Sequence, residues 1–260
     1  MKPIDLNYEV LGNGERKLII LHGLFGMGRN WKRIAKMLGD THQILIVDLR
    51  NHGSSPWKNM MTYEIMAADV ASLIDKICGG RADVIGHSMG GKTAMALALT
   101  HPNKIHRLAV LDISPASYMH DIEQQITAIR SINLNSISRR SEAEKLLIEA
   151  LSDVDLAKFI TFNLRPDSKH RYRWCINLNS IAEHKEKLLD FPIFNNENAF
   201  KSDTLFLSGD KSTYIMPHHI KEIARLFPKA SITMIENAGH WLHIDNPEQV
   251  TTQLNRFFAI

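Results

Sequence analysis

The stretch from Ala82 to Thr93, which reads Ala-Asp-Val-Ile-Gly-His-Ser-Met-Gly-Gly-Lys-Thr, constrains the fold more than any other part of the chain. It joins a short apolar run, a Gly-x-Ser-x-Gly turn and the beginning of a helix. Such a turn holds its serine in a strained backbone conformation, and the flanking glycines Gly86 and Gly90 remove side chains that would clash there. We therefore expect Ser88 to present its hydroxyl beside the free N–H groups of a helix N-terminus, which stabilise developing negative charge.

The same letters also satisfy a phosphate-binding pattern, Gly-x4-Gly-Lys-Ser/Thr, through Gly86, Gly91, Lys92 and Thr93. Both patterns predict a strand, a turn and a helix. The apolar run from Leu108 to Asp112 would then offer the magnesium-binding strand of a nucleotide hydrolase. A third interpretation is a glycine-rich helix start without any chemistry. This stretch alone does not choose among the three, so the rest of the chain must.

Length and composition set broad limits on the class of protein. A chain of 260 residues with 44% hydrophobic and 23% charged residues is typical of one large globular domain, with room for an insertion. The formal net charge of +3 is small and the basic residues are scattered, so we expect no nucleic-acid partner. Only two cysteines occur, Cys78 and Cys175, which favours a reducing compartment and no disulfide framework.

The first residues, Met-Lys-Pro-Ile-Asp-Leu-Asn, lack the apolar core of a signal peptide. No run of apolar residues approaches the length that spans a membrane. We therefore expect a cytoplasmic protein without stable membrane insertion, present as a monomer or a homodimer.

Predicted strands and helices alternate through the first half of the chain. This order is typical of a mostly parallel, doubly wound sheet, whose ligands bind at the carboxyl ends of the strands. His22, Asp48, Ser88 and Asp112 all lie at such ends. We interpret Asp48 and the nearby Arg50 as residues that hold a loop by charge-assisted hydrogen bonds, without a direct catalytic role.

The pattern changes between about residues 117 and 198, where apolar residues follow helical spacing. We therefore divide the chain into a first part of the core at 1–116, a helical lid at 117–198, and a second part of the core at 199–260. The lid contains four basic residues within nine positions: Arg165, Lys169, Arg171 and Arg173. A solvated helix face is the favoured interpretation of this run, and contact with the phosphates of a coenzyme A leaving group is the alternative.

Sheet character returns after residue 203, and the last predicted strand leads into Asn237-Ala238-Gly239-His240-Trp241. A lone histidine near a C-terminus is usually a polar surface residue, so His240 gains a role only from the order of motifs described below. His240 and His243 also suggest a metal pair, but no cluster of carboxylates or cysteines completes a ligand set. We therefore expect neither a metal nor another cofactor.

Taken in order, the His-Gly-x-x-Gly loop, Ser88, an acid and His240 resemble the α/β-hydrolase family over essentially the whole chain. A phosphate-loop enzyme would need neither the His22 loop nor the His240 loop. The finer pattern is similar to the YbfF-type bacterial esterases, which are related to a mitochondrial abhydrolase. It consists of Gly-His-Ser-Met-Gly-Gly-Lys with His22-Gly23-Leu24-Phe25-Gly26, Asp112-Ile113-Ser114-Pro115 and Tyr172-Arg173-Trp174-x-x-Asn177-Leu178.

The resemblance implies an α/β-hydrolase fold and a triad in which Ser88 is the nucleophile and His240 the general base. It also implies an oxyanion hole formed by the N–H groups of Met89 and Leu24, with Phe25 the less favoured donor.

Three aromatic residues in or next to the quoted motifs are expected to contact substrate, namely Phe25, Trp174 and Trp241. That substrate would be a small molecule, an acyl ester or thioester.

The acid of the triad is where the chain departs from the commoner pattern. Most members of the family carry their acid as an Asp three residues after the glycine that ends the strand before the last helix pair. That glycine is Gly209 here, and Ser212 occupies the Asp position. Asp210 directly follows that glycine and is one candidate. The YbfF-type pattern instead takes the Asp at the end of the strand after the elbow helix, which is Asp112. We predict Asp112, because it follows four apolar residues and should be buried, whereas Asp210 suits a turn or a surface ion pair.

We therefore predict a serine carboxylester hydrolase for small to medium acyl esters, with acyl-CoA thioesters as a possible extension. Two alternatives share the fold: a C–C hydrolase or lyase that uses the same triad, and a binding protein that keeps the pocket without turnover. The nucleotide-binding interpretation is the least favoured. Haloalkane or epoxide chemistry is disfavoured because Ser88, and not Asp, stands at the nucleophile position.

Overall fold

The computed structural model describes residues 2–39, 41–119, 122–167 and 171–259. Its strands are β1 (Tyr8–Leu11), β2 (Arg16–Leu21), β3 (His42–Val47), β4 (Ala82–His87), β5 (Ile105–Leu111), β6 (Leu164–Pro166), β7 (Tyr172–Trp174), β8 (Thr204–Gly209) and β9 (Ala230–Ile235). Its helices are α1 (Lys32–Leu38), α2 (Tyr63–Ile77), α3 (Met89–Thr100), α4 (Ile122–Ser131), α5 (Arg140–Leu151), α6 (Val154–Thr161), α7 (Leu178–Glu183), α8 (Lys185–Leu189), α9 (Ile220–Leu226), α10 (Leu242–Asp245) and α11 (Pro247–Phe258).

Seven strands form one sheet in the order β1-β3-β2-β4-β5-β8-β9. β1 runs antiparallel to β3, and all other neighbours are parallel. The prediction of a mostly parallel, doubly wound sheet is therefore confirmed. β4 lies in the middle of the sheet, between β2 and β5, so its carboxyl end opens where several loops converge.

The sheet is covered on both faces, which explains the continuous apolar runs of its central strands. In β2, Leu18 and Ile20 belong to the cluster that packs against α1 and α11. Ile19 and Leu21 belong to the opposite cluster, which includes residues of α2 and α3. Because successive side chains of a strand point to opposite faces, one strand feeds both cores.

The sequence predicts that Asn30 caps a helix that runs through Leu38 and that Thr62 caps the helix of Met66 to Ile77. Thr62 caps α2, and its side chain accepts a hydrogen bond from the N–H of Ile65 at 3.5 Å. The predicted cap at Asn30 is wrong. Asn30 lies in a 3-10 turn before α1 and accepts from the N–H of Met27 at 2.8 Å, so the regular helix begins only at Lys32.

The segment at 117–198 contains helices α4 to α8, but it is not helical throughout. β6 and β7 pair as an antiparallel hairpin in which Arg165 lies opposite Arg173. The expected basic helix face is therefore wrong, because Pro166 has no N–H to continue a helix and the alternating Tyr-Arg-Trp segment pairs as a strand. Lys169, which belonged to the same run, lies outside the described residues.

Backbone and side-chain hydrogen bonds tie this segment to the carboxyl ends of the sheet strands. Asn163 Nδ2 donates to the carbonyl of Phe25, and the N–H of Asn177 donates to the carbonyl of Asn51 at 2.9 Å. Within the described ranges, no helix has the length and apolar character needed to cross a membrane.

Candidate active site

Ser88 occupies the sharp turn between β4 and α3. Its backbone has φ 52° and ψ −120°, a left-handed conformation that non-glycine residues rarely adopt. A Cβ on Gly86 would lie 2.3 Å from the carbonyl oxygen of Gly90, and one on Gly90 would lie 2.4 Å from that of Leu21. Both glycines are therefore required by close backbone approach. The turn leaves the Ser88 side chain at the start of α3, beside the helix N–H groups.

A chain of hydrogen bonds links Ser88, His240 and Asp112. His240 Nε2 lies 3.0 Å from Ser88 Oγ, and its Nδ1 lies 2.9 Å from Asp112 Oδ2. The side chain of Asp112 is fully buried, while that of His240 is 23% exposed. Three distant strand ends thus bring a hydroxyl, an imidazole and a carboxylate into line, which is the geometry of a serine nucleophile with its base.

The carboxylate of Asp112 is held by two further donors. The N–H of Gly209 donates to Oδ1 at 3.0 Å, and the hydroxyl of Ser212 donates to Oδ2. Ser212 is the residue that replaces the commoner Asp. The structure places its hydroxyl against the carboxylate of Asp112, so the two positions are in direct contact.

Asp210, the other candidate acid, has different partners. It is exposed, and its Oδ1 accepts from the N–H of Ala238 at 2.9 Å. Hydrogen bonds from the backbone N–H groups of Asn237 and Ala238 lower the pKa of the Asp210 carboxyl. Its carboxylate therefore fixes the loop that carries His240, as expected of a turn residue.

Two aromatic side chains that the sequence did not single out support His240. The ring of Tyr214 stacks on the imidazole at 3.8 Å between centroids and 16° between planes. His87 Nε2 lies 2.8 Å from the carbonyl oxygen of His240, to which it donates. Burial lowers the pKa of His87 well below its ordinary value, so the ring is neutral and keeps one tautomer. The position of His87 inside the Gly-x-Ser motif was the available signal, whereas Tyr214 had none.

In the glycine loop after β2, one backbone N–H group is already hydrogen-bonded and another is not. The N–H of Phe25 donates to His52 Nε2 at 3.3 Å, and Phe25 has φ 58°. In the part of the chain that the structure describes, the N–H groups of Leu24 and Met89 have no hydrogen-bond acceptor. These two N–H groups therefore remain available to a ligand atom, whereas that of Phe25 does not.

Two buried histidines hold this loop in place. His22 Nδ1 donates to the carbonyl of Gly23 at 2.8 Å, and its Nε2 accepts from the N–H of Leu49 at 3.0 Å. His52 Nδ1 donates to the carbonyl of Arg50 at 3.0 Å, which leaves Nε2 free to accept from Phe25. Burial lowers the pKa of both rings, that of His52 to about 3, so both are neutral.

Asp48 and Arg50 stabilise loops, as the sequence suggested. Asp48 accepts from the N–H of Gly28 at 2.8 Å and from that of Ser54 at 2.9 Å. Arg50 forms a buried ion pair with Asp69, whose Oδ2 lies 2.6 Å from its Nε. Neither side chain contacts the Ser88–His240 pair.

A cavity of about 440 Å³ opens beside Ser88 and His240. Leu24, Phe25, Met89 and Trp241 line it together with residues of α4, α6 and α8. Trp174, which was expected to contact substrate, lies half-buried in β7 and is absent from the described cavity wall, because the hairpin places it elsewhere on the apolar cluster. A larger opening of about 1060 Å³ lies around Arg81 and His106, without any of the reactive residues.

The basic run of the hairpin has local partners. Arg171 pairs with Asp167 at 2.9 Å, and Arg165 Nη2 lies 3.3 Å from the sulfur of Met27. None of Arg165, Arg171 and Arg173 lines the cavity beside Ser88 within the described residues. The structure therefore offers no contact between these side chains and the reacting groups.

His243, considered with His240 as a metal pair, stacks on Trp31 at 4.1 Å instead. The described residues contain no group of three or more His, Cys, Asp or Glu side chains that could hold a metal ion. The motif lysine Lys92 donates to the carbonyl groups of Leu189 and Asp190, both at 2.8 Å.

Known proteins resemble this chain along nearly all its length. A family profile described as the alpha/beta hydrolase fold matches residues 17–247. The sn-1-specific diacylglycerol lipase ABHD11 of Danio rerio is 40% identical over 94% of this chain and 80% of its own length. Esterase YbfF of Escherichia coli is 29% identical over 92% of each chain.

A solved structure titled "Marine microorganism esterase" superposes with a TM-score of 0.94 at 35% identity, covering 98% of this chain and 100% of its own. The similarity to YbfF-type esterases expected from the motifs is thus confirmed, and the nucleotide-binding interpretation is excluded. The chain belongs to the α/β-hydrolase family, as a hydrolase related to its esterases and lipases.

Proposed function

We propose that this protein is a serine carboxylester hydrolase that acts on small to medium acyl esters through an acyl-enzyme on Ser88. The observation that carries the proposal is the hydrogen-bond chain from Ser88 Oγ through His240 to Asp112 beside a cavity of about 440 Å³. A hydroxyl is a weak nucleophile by itself, and an adjacent imidazole oriented by a carboxylate makes it reactive.

In the acylation step, Ser88 Oγ attacks the acyl carbonyl carbon while His240 Nε2 takes the hydroxyl proton. Asp112 accepts the Nδ1–H of His240 and stabilises the imidazolium that forms. The tetrahedral intermediate then collapses: the C–O bond to the alcohol breaks, and the imidazolium returns its proton to the leaving oxygen. The acyl group stays on Ser88.

In this proposal, the N–H groups of Leu24 and Met89 donate to the carbonyl oxygen and stabilise its negative charge. Both are free of other acceptors among the described residues, and Met89 is the first residue of α3, where the helix dipole also favours negative charge. Each such donor contributes roughly 10² to 10³ in rate. Phe25 contributes its side chain to the cavity wall, since its N–H is bound to His52.

Water completes the cycle by the reverse use of the same groups. His240 Nε2 takes a proton from the attacking water, the new C–O bond forms, and the ester bond to Ser88 Oγ breaks as the proton returns to the serine. The products are a carboxylic acid and the free enzyme. No metal or cofactor takes part in this sequence.

The size of the acyl group is proposed from the cavity. A volume of about 440 Å³ is at the lower end of the usual range for small-molecule sites, about 300–1,000 Å³. The names of the relatives, a diacylglycerol lipase and an esterase, support ester hydrolysis. Acyl thioesters fit the same chemistry, but the basic hairpin residues lend no support to coenzyme A in particular.

We further propose that residues 117–198 act as the lid of this site and that the protein is cytoplasmic. Side chains of α4, α6 and α8 form much of the cavity wall, which supports the first point. Cys78 and Cys175 are both free and buried, which suits a reducing compartment.

The experiment compares wild type, Ser88→Ala and the control Ser231→Ala on a panel of 4-nitrophenyl esters of increasing acyl length. Ser231 is an exposed residue of β9, so its replacement tests only the loss of a hydroxyl. We expect Ser88→Ala to lower kcat by roughly 10⁴-fold or more, since only binding and the oxyanion site remain. Substantial residual ester turnover would contradict the proposal, and carbon–carbon bond cleavage without ester turnover would favour the C–C hydrolase alternative.

A further inference from the structure

Lys92 lines the cavity that holds Ser88, and its ammonium group lies beside three other lining residues, Tyr63, Tyr118 and Leu189. The residue is only 2% exposed, yet it lines the cavity wall together with Ser88, His240 and Tyr118. Its backbone N–H donates to the carbonyl of Ser88 at 2.9 Å, one turn further along α3. The proposed nucleophile and this lysine therefore line the same cavity.

The ammonium group is incompletely satisfied. Its Nζ donates to the carbonyls of Leu189 and Asp190, both at 2.8 Å. An ammonium has three N–H donors, so one of them has no acceptor among the residues that the structure describes. A buried donor without a partner is unfavourable unless a ligand supplies one.

The positive charge also lacks a direct counterion among the described side chains. The carboxylate of Asp190 accepts instead from the hydroxyl of Ser117 and from the N–H of Phe191. The rings of Tyr118 and Tyr63 lie 4.9 and 5.6 Å from Nζ and offer only cation–π attraction. Burial lowers the pKa of Lys92 to about 7, and the charge of Asp190 opposes that shift in part.

Structural support of α8 does not by itself account for a charge at this place. The hydroxyl of Tyr63 caps the neighbouring carbonyl of Leu188 at 2.6 Å without any charge. A neutral donor would serve the last carbonyls of α8 equally well, and it would avoid the desolvation cost of a buried cation. The charge is explained if an anion from the substrate enters the cavity and pairs with it.

We propose that Lys92 determines specificity for acyl chains that end in a carboxylate, so that the substrate is a monoester or monothioester of a short dicarboxylic acid. This inference rests on the proposed function, since one end of the chain must be the carbonyl that Ser88 attacks. Four helix residues separate the two Cα atoms by about 6 Å along the axis, and both residues line the same cavity, so a short acyl chain is the one that we propose to join them. The third N–H of Lys92 then donates to the terminal carboxylate.

The test uses two esters with the same five-carbon acyl chain, mono(4-nitrophenyl) glutarate and its methyl ester, in which a methyl group neutralises the terminal carboxylate. The readout is the ratio of their kcat/KM values after the rate without enzyme is subtracted. At about pH 6, below the pKa of Lys92 at about 7, we expect wild type to prefer the acid by roughly tenfold or more. Lys92→Met should lower this ratio by roughly tenfold or more.

Lys104→Met is the matched control. Lys104 is a partly exposed lysine that pairs with Asp75 outside the cavity, so its loss should leave the ratio at the wild-type value. If Lys92→Met fails to fold, the pH dependence of the ratio in wild type gives the answer instead. The preference should be full below about pH 7 and fall as the ammonium loses its proton above it.

The titratable groups that face Lys92 keep the same charge over this pH range, so they do not contribute to the pH dependence of the ratio. Burial raises the pKa of Tyr118, in the loop after β5, to about 12 and raises that of Tyr63 on α2 as well, so both stay neutral. The hydrogen bond from Ser117 lowers the pKa of Asp190, after α8, so it stays charged. His240 acts on both esters alike and cancels in the ratio.

The possible results distinguish failure of the Lys92 specificity from failure of the proposed ester hydrolysis. Turnover of the methyl ester without preference for the acid, or an equal loss on both esters in Lys92→Met, overturns the role of Lys92 alone. Turnover of neither ester overturns the proposed hydrolase activity, and the specificity with it. Retention of the preference above about pH 9 would also overturn it, because a neutral amine carries no charge to recognise.

Discussion

The hydroxyl of Ser212 donates to Oδ2 of Asp112, the same carboxylate oxygen that accepts from Nδ1 of His240. Ser212 occupies the position at which most members of the family carry their acid. A carboxylate at the end of β5 and a hydroxyl donor after β8 are therefore neighbours in space, and both lie beside the imidazole of His240.

The first prediction separates the two candidate acids. Asp112→Asn should lower kcat by roughly 10³ to 10⁴, because an amide cannot stabilise the imidazolium and favours the wrong tautomer. Asp210→Asn should change kcat by less than about tenfold, since its carboxylate contacts only loop N–H groups. Steady-state kinetics on one ester measure both, and the reverse ranking would move the acid to the strand before His240.

The second prediction concerns the hydroxyl of Ser212, which donates to Asp112. Ser212→Ala removes one hydrogen bond to the buried carboxylate, while Gly209 still holds its other oxygen. A hydrogen bond to a charged group contributes about 1.5–3 kcal/mol, so we expect kcat to fall by roughly tenfold to a hundredfold, with little change in KM.

The urea unfolding curve of Ser212→Ala distinguishes positioning from a general loss of structure. If Ser212 only positions the carboxylate of Asp112, kcat should fall while the free energy of unfolding stays close to that of wild type. An unchanged kcat would show that this hydrogen bond is unimportant to the reaction.

The third prediction addresses the loop after β2, which carries Leu24, the proposed oxyanion donor. His52→Phe removes the acceptor of the Phe25 N–H and leaves that backbone, with its φ of 58°, unsupported. Loop misplacement should cost kcat by roughly tenfold to a hundredfold, within the contribution of one oxyanion donor, and KM should change less. His218→Phe, a change at an exposed histidine before α9, is the control. Equal kcat values for the two variants would disprove a positioning role of His52.

The fourth prediction is a pH dependence of stability. Burial lowers the pKa of His243 from 6.5 to about 3, and both ring nitrogens lack hydrogen-bond partners within the described residues. Between these two values the unfolded chain binds a proton that the folded chain does not, so the free energy of unfolding falls as the pH falls through this window.

Replacement of His243 by Phe removes the proton that only the unfolded chain binds, and it keeps an aromatic ring against Trp31. Urea unfolding at several pH values between about 4 and 6 should show a slope smaller by about 1.4 kcal/mol per pH unit in His243→Phe than in wild type. Identical slopes would mean that His243 is already protonated in the folded protein.

Sequence alone predicts the scaffold well because the fold depends on patterns that are local. The continuous apolar runs of β2 and β4, the glycines around Ser88 and the cap at Thr62 each follow from a short-range requirement of the backbone. The hairpin of β6 and β7 escapes such reasoning, since strands of three residues carry little periodicity. Their pairing depends on contacts with the rest of the segment.

The site divides in the same way. The motif positions Ser88, Asp112 and His240 are readable from the sequence, and the structure brings them within hydrogen-bond distance. The stacking of Tyr214 on His240 and the burial of Lys92 in the cavity are not readable, because they depend on loops that meet only in the folded chain. Trp174 shows the opposite failure, since membership of a motif did not bring it to the cavity.

Direct detection of the acyl-enzyme tests the central claim most sharply. Wild type and Ser88→Ala would be mixed with excess 4-nitrophenyl butyrate, quenched in acid within the first turnovers, digested and mapped by mass spectrometry. We expect a butyryl mass increment on the peptide that contains Ser88 in wild type, and none on the corresponding peptide of the variant. An increment on another residue, or rapid ester hydrolysis by Ser88→Ala without any acylated peptide, would contradict it.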